Sequence, residues 1–160
     1  DKIIKRSGAL RGMDISIAFA GGFSVDQLET EIRQHAMDQP VDVVAIDFFQ
    51  LIRLPSDRSS NQSAQLERIA YALKFCAVDV GCTVMILSQL SKGSEREGRQ
   101  AKLSDLRGTS GLADASDVVL TGFRPDIEQD EVFWSVQKNR HGEVGRFASR
   151  MNGAAQRFEF

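Results

Sequence analysis

The chain has 160 residues, enough for one domain with one hydrophobic core. Hydrophobic residues make up 42% of the sequence and charged residues 26%, which is ordinary for a soluble globular protein, and the formal net charge of −2 excludes a surface that is basic throughout. Any contact with nucleic acid must therefore be local. Cys76 and Cys82 lie in apolar runs without metal-ligand spacing, which predicts reduced core thiols in a cytoplasmic protein rather than a disulfide. No apolar run approaches the length needed to cross a bilayer.

The first forty residues predict a linker, a strand and a helix. Residues 1–12 are basic and contain glycine, so we expect the end of a loop or a linker remnant. Residues 14–20 predict a short strand. Ser24 is followed three residues later by Gln27, the pattern of a capping box, and apolar residues then recur at helical spacing until Pro40. This segment predicts a helix with one buried face.

The middle of the chain predicts two buried strands joined by a long helix. Residues 41–49 are nearly all apolar or β-branched, which is typical of a strand covered on both faces of a parallel sheet. A polar loop over residues 53–62 leads into the longest predicted helix, residues 61–80, which carries an apolar stripe and ends at Gly81. Residues 82–87 predict the second buried strand.

The last third predicts a polar loop, a short helical segment and a closing hairpin. Residues 91–102 are polar and charged, and residues 103–116 indicate a short helical or irregular segment. Residues 117–121 predict a strand, and residues 133–137 and 147–151 predict an antiparallel pair. Because strands alternate with helices, we expect an α/β protein with a mainly parallel sheet in three layers.

Two polar residues follow the predicted buried strands. Asp47 stands at the carboxyl end of the first, the edge where α/β sheets bind ligands, and in P-loop ATPases such an aspartate holds the Mg²⁺ ion. On this run alone, a carboxylate that caps the next loop is the more common explanation. Gln89 follows the second strand, where a neutral amide can sense a terminal phosphate or simply form a polar turn.

Lys138 and Arg140 lie at the tip of the predicted closing hairpin. A basic pair on a turn is poorly placed for the core of its own chain and well placed to reach the phosphates of a neighbouring molecule. An arginine supplied in this way stabilises charge that develops in phosphoryl transfer. A hairpin tip that is merely solvated explains an isolated basic turn equally well.

Taken in order, these segments resemble the motifs of DnaB-type replicative helicases. The resemblance runs from about Ile17 to the last residue and rests on five sets: Ile46–Leu51; Leu87–Leu90; Ser104–Arg107 with Gly111 and Ala115–Asp117; Lys138–Gly142 with Gly145; and Asn152–Gly153 with Arg157–Phe158. It implies a RecA-like three-layer fold with a mainly parallel sheet and a terminal antiparallel hairpin. It also implies a homo-hexameric ring that uses ATP to move along single-stranded DNA and unwind duplex.

The resemblance also implies roles for individual residues. Asp47 would be the carboxylate linked to Mg²⁺, and Gln89 would sense the phosphate. Lys138 and Arg140 would act on ATP that the adjacent subunit holds. The residues implied to line the central channel and contact the DNA backbone are Arg107, Gly108 and Ser110. The implied partners are single-stranded DNA, other copies of the chain, primase and a helicase loader, with no membrane.

One expected motif does not occur in the chain. No G-x-x-x-x-G-K-[ST] segment is present, so the resemblance places the phosphate-binding loop upstream of Asp1. We therefore expect residues 1–160 to be a partial RecA-like motor domain, truncated at its amino end, that binds ATP poorly and hydrolyses none in isolation. The alternatives are a RecA- or KaiC-like ATPase with another role, a catalytically dead adaptor that joins a helicase ring and donates Arg140, and an α/β binding domain whose motifs arose by chance.

Overall fold

The computed structural model describes residues 14–53, 62–90, 98–106 and 110–160. Within these ranges the helices are α1 (Val25–Asp38), α2 (Gln62–Val80) and α3 (Ser110–Ala115), with short 3-10 turns at Phe49–Leu51 and Leu103–Leu106. The strands are β1 (Val43–Ile46), β2 (Thr83–Ile86), β3 (Val118–Phe123), β4 (Glu131–Asn139), β5 (Gly145–Asn152) and β6 (Arg157–Glu159). None of the helices in the described part of the chain has the length and apolar character required to cross a bilayer.

Helix α1 begins where the capping box predicts. The Ser24 hydroxyl accepts a hydrogen bond from the Gln27 backbone N–H at 3.3 Å, and the Gln27 side chain accepts one from the Ser24 N–H at 2.9 Å. These two bonds satisfy backbone donors that a helix start otherwise leaves unpaired. Val25 and Ile32 are buried on the inner face, so the predicted helix and its orientation are confirmed.

Helix α2 supplies the centre of the hydrophobic core. Ile69, Leu73 and Cys76 are buried on one face, which confirms the predicted apolar stripe. Ile69 and Leu73 lie in a core that includes Phe49 and Leu112, from the turn after β1 and from α3. Both cysteines are free, and burial raises the pKa of each thiol. Cys76 lies in the core as predicted, whereas Cys82 is only half-buried.

Strands β1 and β2 form a parallel pair in the register Val43↔Thr83 to Ile46↔Ile86. The sequence predicts burial on both faces, but residues alternate between exposed and half-buried along both strands, and Val43 and Met85 remain 59% and 52% exposed. The prediction of coverage on both faces is wrong for these residues because the described elements pack against one face only.

The other four strands form an antiparallel sheet in the order β3-β4-β5-β6. The predicted closing pair is confirmed, with Trp134 opposite Phe147 and stacked on it at a centroid distance of 6.2 Å. The α/β class is also confirmed. Parallel pairing, however, is limited to β1 and β2 in the described residues, so the antiparallel part is larger than the prediction of a mainly parallel sheet implies.

Residues 14–20 do not form the predicted strand. They have no ladder partner among the described residues, and the side chains of Ile17 and Phe19 are 95% and 93% exposed. An alternating apolar pattern shows only that a segment is compatible with a sheet, since the ladder also needs a neighbouring edge. The predicted linker at residues 1–12 lies outside the described residues.

Candidate functional site

The carboxyl ends of β1 and β2 bring the first two candidate residues to one edge. Because Ile46 is paired with Ile86 in a parallel register, the segments that follow both strands leave the sheet side by side. Two backbone hydrogen bonds continue this contact past the strands: Leu87 N–H donates to the Ile46 carbonyl at 3.0 Å, and Phe49 N–H donates to the Leu87 carbonyl at 2.9 Å. The side chains of Asp47 and Gln89 are both exposed at this edge.

A glutamine that the sequence analysis did not single out joins these two segments. Gln50 Nε2 donates to Ser88 Oγ at 3.0 Å and to the Gln89 carbonyl at 3.3 Å, and Gln50 Oε1 accepts from the Gln89 N–H at 3.3 Å. The sequence signal was an isolated amide among Phe49, Leu51 and Ile52, directly after the strand that carries Asp47. Its partners are 38 and 39 residues away, so they depend on the pairing of β1 with β2.

The edge fits a Mg²⁺ site that a nucleotide completes. No described side chain forms an ion pair with the Asp47 carboxylate, which is exposed. Within residues 14–53, 62–90, 98–106 and 110–160, no group of three or more His, Cys, Asp or Glu side chains is arranged to hold a metal. Protein-bound Mg²⁺ commonly takes one or two carboxylates and completes its shell with water and substrate phosphates. A single accessible carboxylate fits an ion that would be shared with nucleotide phosphates.

The hairpin residue Lys138 bonds within its own chain. It lies near the end of β4, and its Nζ donates to the carbonyls of Ala113 at 2.8 Å and Asp114 at 3.0 Å, in the last turn of α3. Terminal helix carbonyls lack intrahelical partners and carry negative partial charge, so a lysine ammonium stabilises them. The sequence analysis predicted an outward-facing side chain, whereas the structure shows a half-buried one.

Arg140 is paired with Asp117, two residues after the end of α3. Its Nη1 lies 3.2 Å from Asp117 Oδ1, and its backbone N–H donates to the Asp117 carbonyl at 2.8 Å. The Lys74 ammonium on α2 bonds the other carboxylate oxygen. This hydrogen bond, together with the positive charges of Lys74, Arg140 and His141, lowers the pKa of Asp117 below its usual value. The Arg140 side chain remains 48% exposed.

The segment before the predicted DNA loop is fixed to the antiparallel sheet. Gln137 Nε2 donates to the Ala101 carbonyl at 3.3 Å and to Ser135 Oγ at 3.0 Å. Ala101 is itself buried. The predicted loop residues Arg107 and Gly108 lie outside the described residues, and Ser110 is the first residue of α3.

An ion pair also links Arg99 and Asp105, within the segment that precedes the predicted DNA loop. Arg99 Nη1 and Nη2 donate to the two carboxylate oxygens of Asp105 at 2.7 Å and 3.1 Å, and the Lys102 N–H donates to the same carboxylate at 2.8 Å. The bidentate arrangement is the strong form of a carboxylate–guanidinium contact. The Arg99 hydrogen bond, followed by the Lys102 N–H, lowers the pKa of Asp105 from 3.8 to about 2.

We therefore expect the Asp105 carboxyl to stay ionised in the folded chain until the pH approaches 2. Because the folded pKa is below the unfolded one, this contact stabilises the fold above about pH 4, and its contribution is lost as the pH falls from about 4 toward 2. A ¹³C NMR titration of the Asp105 carboxyl measures the midpoint directly. Arg99→Gln should raise the midpoint toward 3.8.

Lys102→Gln is the matched control for this titration. It removes a nearby charge and keeps the backbone N–H that bonds Asp105, so the midpoint should rise much less than with Arg99→Gln. Equal midpoints for the unaltered chain and Arg99→Gln would show that the ion pair is absent in solution.

Comparison with known proteins identifies the family. The model of the DnaB-like helicase C-terminal domain matches residues 1–160, the whole chain. The chain belongs to this family. Among curated relatives, a probable plasmid replicative DNA helicase of Chlamydia psittaci is 30% identical over 155 residues, which cover 93% of this chain and 34% of that protein. The replicative DNA helicase DnaC of Bacillus subtilis is 26% identical over 151 residues, covering 90% of this chain and 33% of that protein.

Solved structures show the same fold. The ATPase domain of G40P superposes with a TM-score of 0.90 at 26% identity, over 99% of this chain and 58% of that one. A DnaB-like replicative helicase, solved in a study of its interactions with primase, also gives a TM-score of 0.90 at 26% identity, over 99% of this chain and 40% of that one. The DnaB-like, RecA-type fold implied by the motifs is therefore confirmed. The chain spans about a third of the length of the curated relatives described above.

In this DnaB-like chain the candidate residues form two separate groups. Asp47 and Gln89 share the edge beyond β1 and β2, whereas Lys138 and Arg140 are held by the residues around the end of α3. No hydrogen bond or ion pair joins the two groups in the part of the chain that the structure describes.

Proposed function

We propose that residues 1–160 are part of the motor domain of an ATP-dependent, hexameric replicative DNA helicase. The observation that carries this proposal is the placement of Asp47 and Gln89 at one edge of a parallel strand pair in a chain of the DnaB-like family. The carboxyl edge of parallel strands is the position where nucleotide-binding α/β folds place their ligand. The function that fits both this placement and the family is that of a cytoplasmic protein that unwinds DNA ahead of synthesis.

In this proposal, the edge beyond β1 and β2 handles the nucleotide. Asp47 would hold the Mg²⁺ ion, which would neutralise charge that develops on the transferred phosphoryl group when ATP is bound. Gln89 donates its amide toward the terminal phosphate, and its position reports whether that phosphate is present. Both side chains are exposed, so ligand access requires no rearrangement of the described residues.

Lys138 and Arg140 act in trans in this proposal, on ATP held by the adjacent subunit of the ring. To do so, Arg140 exchanges the Asp117 carboxylate for a phosphate, and Lys74 then remains to neutralise Asp117. Lys138 likewise leaves two carbonyls at the end of α3. Because an exposed ion pair is worth little, replacement by a phosphate at a subunit interface is energetically accessible.

The proposed DNA contact is a short loop that ends at α3. Arg107, Gly108 and Ser110 contact the backbone of single-stranded DNA inside the ring, without reading sequence. The Arg99–Asp105 pair and the Gln137 contacts fix the approach to this loop. The proposed partners are single-stranded DNA, other copies of the subunit, primase and a helicase loader.

The phosphate-binding loop is proposed to come from another part of the same polypeptide. We expect the native polypeptide to hydrolyse ATP, to do so faster with single-stranded DNA, and to displace a strand from a forked duplex. Asp47→Asn should abolish turnover, whereas Asp42→Asn, a matched change just before the same strand, should leave it intact. The isolated 160-residue chain should hydrolyse no ATP.

Each contrary outcome has a distinct meaning. Turnover without strand displacement would favour a RecA- or KaiC-like ATPase with another role. No turnover by the native polypeptide would favour a catalytically dead adaptor of a helicase ring. Turnover by the isolated chain above background would contradict the dependence on a separate phosphate-binding loop.

A further inference from the structure

We propose that Gln50 is a positioning residue that fixes the Gln89 segment relative to Asp47. This inference rests on the proposed function, because it assigns Gln50 a role through the phosphate-sensing side chain. Gln50 itself has no direct contact with the nucleotide in this proposal. Its effect is to hold the backbone from which Gln89 reaches the phosphate.

The Gln50 side-chain amide supplies hydrogen bonds to Gln89 at a position where the backbone of a paired strand no longer does so. Beyond Ile86 the β1–β2 ladder ends, and backbone contact between the two segments continues only to the Phe49–Leu87 hydrogen bond. The Gln50 amide then pairs with both the N–H and the carbonyl of Gln89, each at 3.3 Å. A side chain thereby extends the contact by two further residues, from Leu87 to Gln89.

The backbone that carries the Gln50 side chain is also held in place. Gln50 lies in the 3-10 turn Phe49–Leu51, and Phe49 is fully buried in the core. Leu51 N–H donates to the Phe48 carbonyl at 3.1 Å, which closes the turn. Gln50 is therefore attached to a rigid turn that starts two residues after Asp47, and the Gln89 segment is held against the same turn.

The chemistry requires an amide at this position. Glutamine offers two N–H donors and a carbonyl acceptor, and here both functions are used on Gln89 while a donor also reaches Ser88 Oγ. Glutamate has the same shape but lacks the donors, so it would set a carboxylate against the Gln89 carbonyl. Leucine has a similar size and lacks both functions.

The expected result is a loss of turnover that depends on the Gln89 side chain. In the native polypeptide, Gln50→Leu should lower DNA-stimulated kcat about 10- to 100-fold, because small displacements of a group at the reacting centre cost rates of this order. The KM for ATP should change by less than about twofold, since Asp47 and the rest of the binding site are unaltered. Gln50→Glu should behave like Gln50→Leu.

A double-mutant cycle separates positioning from general structural support. In a Gln89→Ala background the sensor side chain is absent, so adding Gln50→Leu should reduce the residual turnover by no more than about twofold. An equal loss in both backgrounds would overturn the inference and assign Gln50 a structural role. Gln129→Leu, in the exposed connection between β3 and β4, is the matched control and should leave turnover unchanged.

Amide hydrogen exchange tests the contact without relying on catalysis. In the native polypeptide, Gln50→Leu should speed exchange at the Gln89 N–H about tenfold or more and leave unchanged the Thr83 N–H, which donates to the Asp42 carbonyl at 2.8 Å at the start of β2. Unchanged exchange at Gln89 would overturn the inference whatever the activity. If exchange responds as expected but the unaltered polypeptide shows no turnover, the proposed function fails, and the catalytic role of Gln50 fails with it while its structural contact stands.

Discussion

ATP hydrolysis should return when two inactive variants of the native polypeptide, Asp47→Asn and Arg140→Ala, are mixed. Asp47→Asn removes the carboxylate that is proposed to orient Mg²⁺ on the subunit's own ATP. Arg140→Ala removes the guanidinium that is proposed to act on the neighbour's ATP, a loss of roughly 10³-fold or more in kcat for arginines of this kind. Each subunit lacks a different part, so an interface with both parts intact forms only between unlike subunits.

The size of the recovery follows from the geometry of a ring. Interfaces in a cyclic assembly are head-to-tail, so about a quarter of them in a random equal mixture join an intact Asp47 to an intact Arg140. Turnover should therefore rise far above either variant alone and stay well below the unaltered protein. The measurement is steady-state hydrolysis as a function of the mixing ratio, with a maximum near equal amounts.

Arg146→Ala is the control for this experiment. Arg146 lies in β5 of the same hairpin, is exposed, and is not one of the candidate site residues. Arg146→Ala should leave turnover nearly unchanged. When this variant is mixed with Asp47→Asn, the turnover should equal that expected from dilution of the active subunits and should not exceed it. A silent Arg140→Ala would refute action in trans, and two variants that assemble into rings but never complement would do so as well.

The parts of this fold that sequence predicts are those fixed by neighbours along the chain. The capping box at Ser24 and Gln27 spans three residues, and the buried stripe through Ile69, Leu73 and Cys76 follows from helical periodicity alone. The position of Asp47 after an apolar run was equally local. Each of these predictions could be made without knowing the tertiary contacts.

The contacts that sequence analysis missed are set by tertiary pairing. Gln50 meets the Gln89 segment only because β1 and β2 are parallel and in register. Lys138 was predicted to point outward, but it meets carbonyls 24 and 25 residues away that lack helical partners. A basic residue at a hairpin tip and a helix end that needs a cation are each visible in a sequence, whereas their proximity is not.

Gly111→Ala should both destabilise the chain and weaken its response to DNA. A Cβ at Gly111 would lie 2.5 Å from the Glu67 Cβ and 2.7 Å from its Cα, so α3 could not keep its present distance from α2. These atoms belong to the backbone and the root of the side chain, and a rotamer change cannot relieve the overlap. Overpacking of this kind typically costs about 1–3 kcal/mol in the free energy of unfolding.

The functional loss should exceed what reduced stability alone produces. Leu112 and Ala115 of α3 are buried in the core, the predicted DNA loop leads directly into Ser110, and Lys138 bonds the carbonyls at the other end of the helix. Moving α3 thus displaces both the proposed DNA contact and a proposed trans-acting residue. We expect DNA-stimulated ATP hydrolysis by the native polypeptide to fall about tenfold or more, and basal hydrolysis to fall much less.

Gly153→Ala provides the comparison, because a Cβ there meets nothing within 4 Å. Thermal unfolding and hydrolysis with and without single-stranded DNA should be measured for both variants at a temperature where each is folded. A lowered unfolding temperature with an unchanged ratio of DNA-stimulated to basal turnover would show that α3 only supports the core. A fall in that ratio for Gly111→Ala alone would show that the close approach of α3 to α2 is what couples the DNA loop to the hairpin residues.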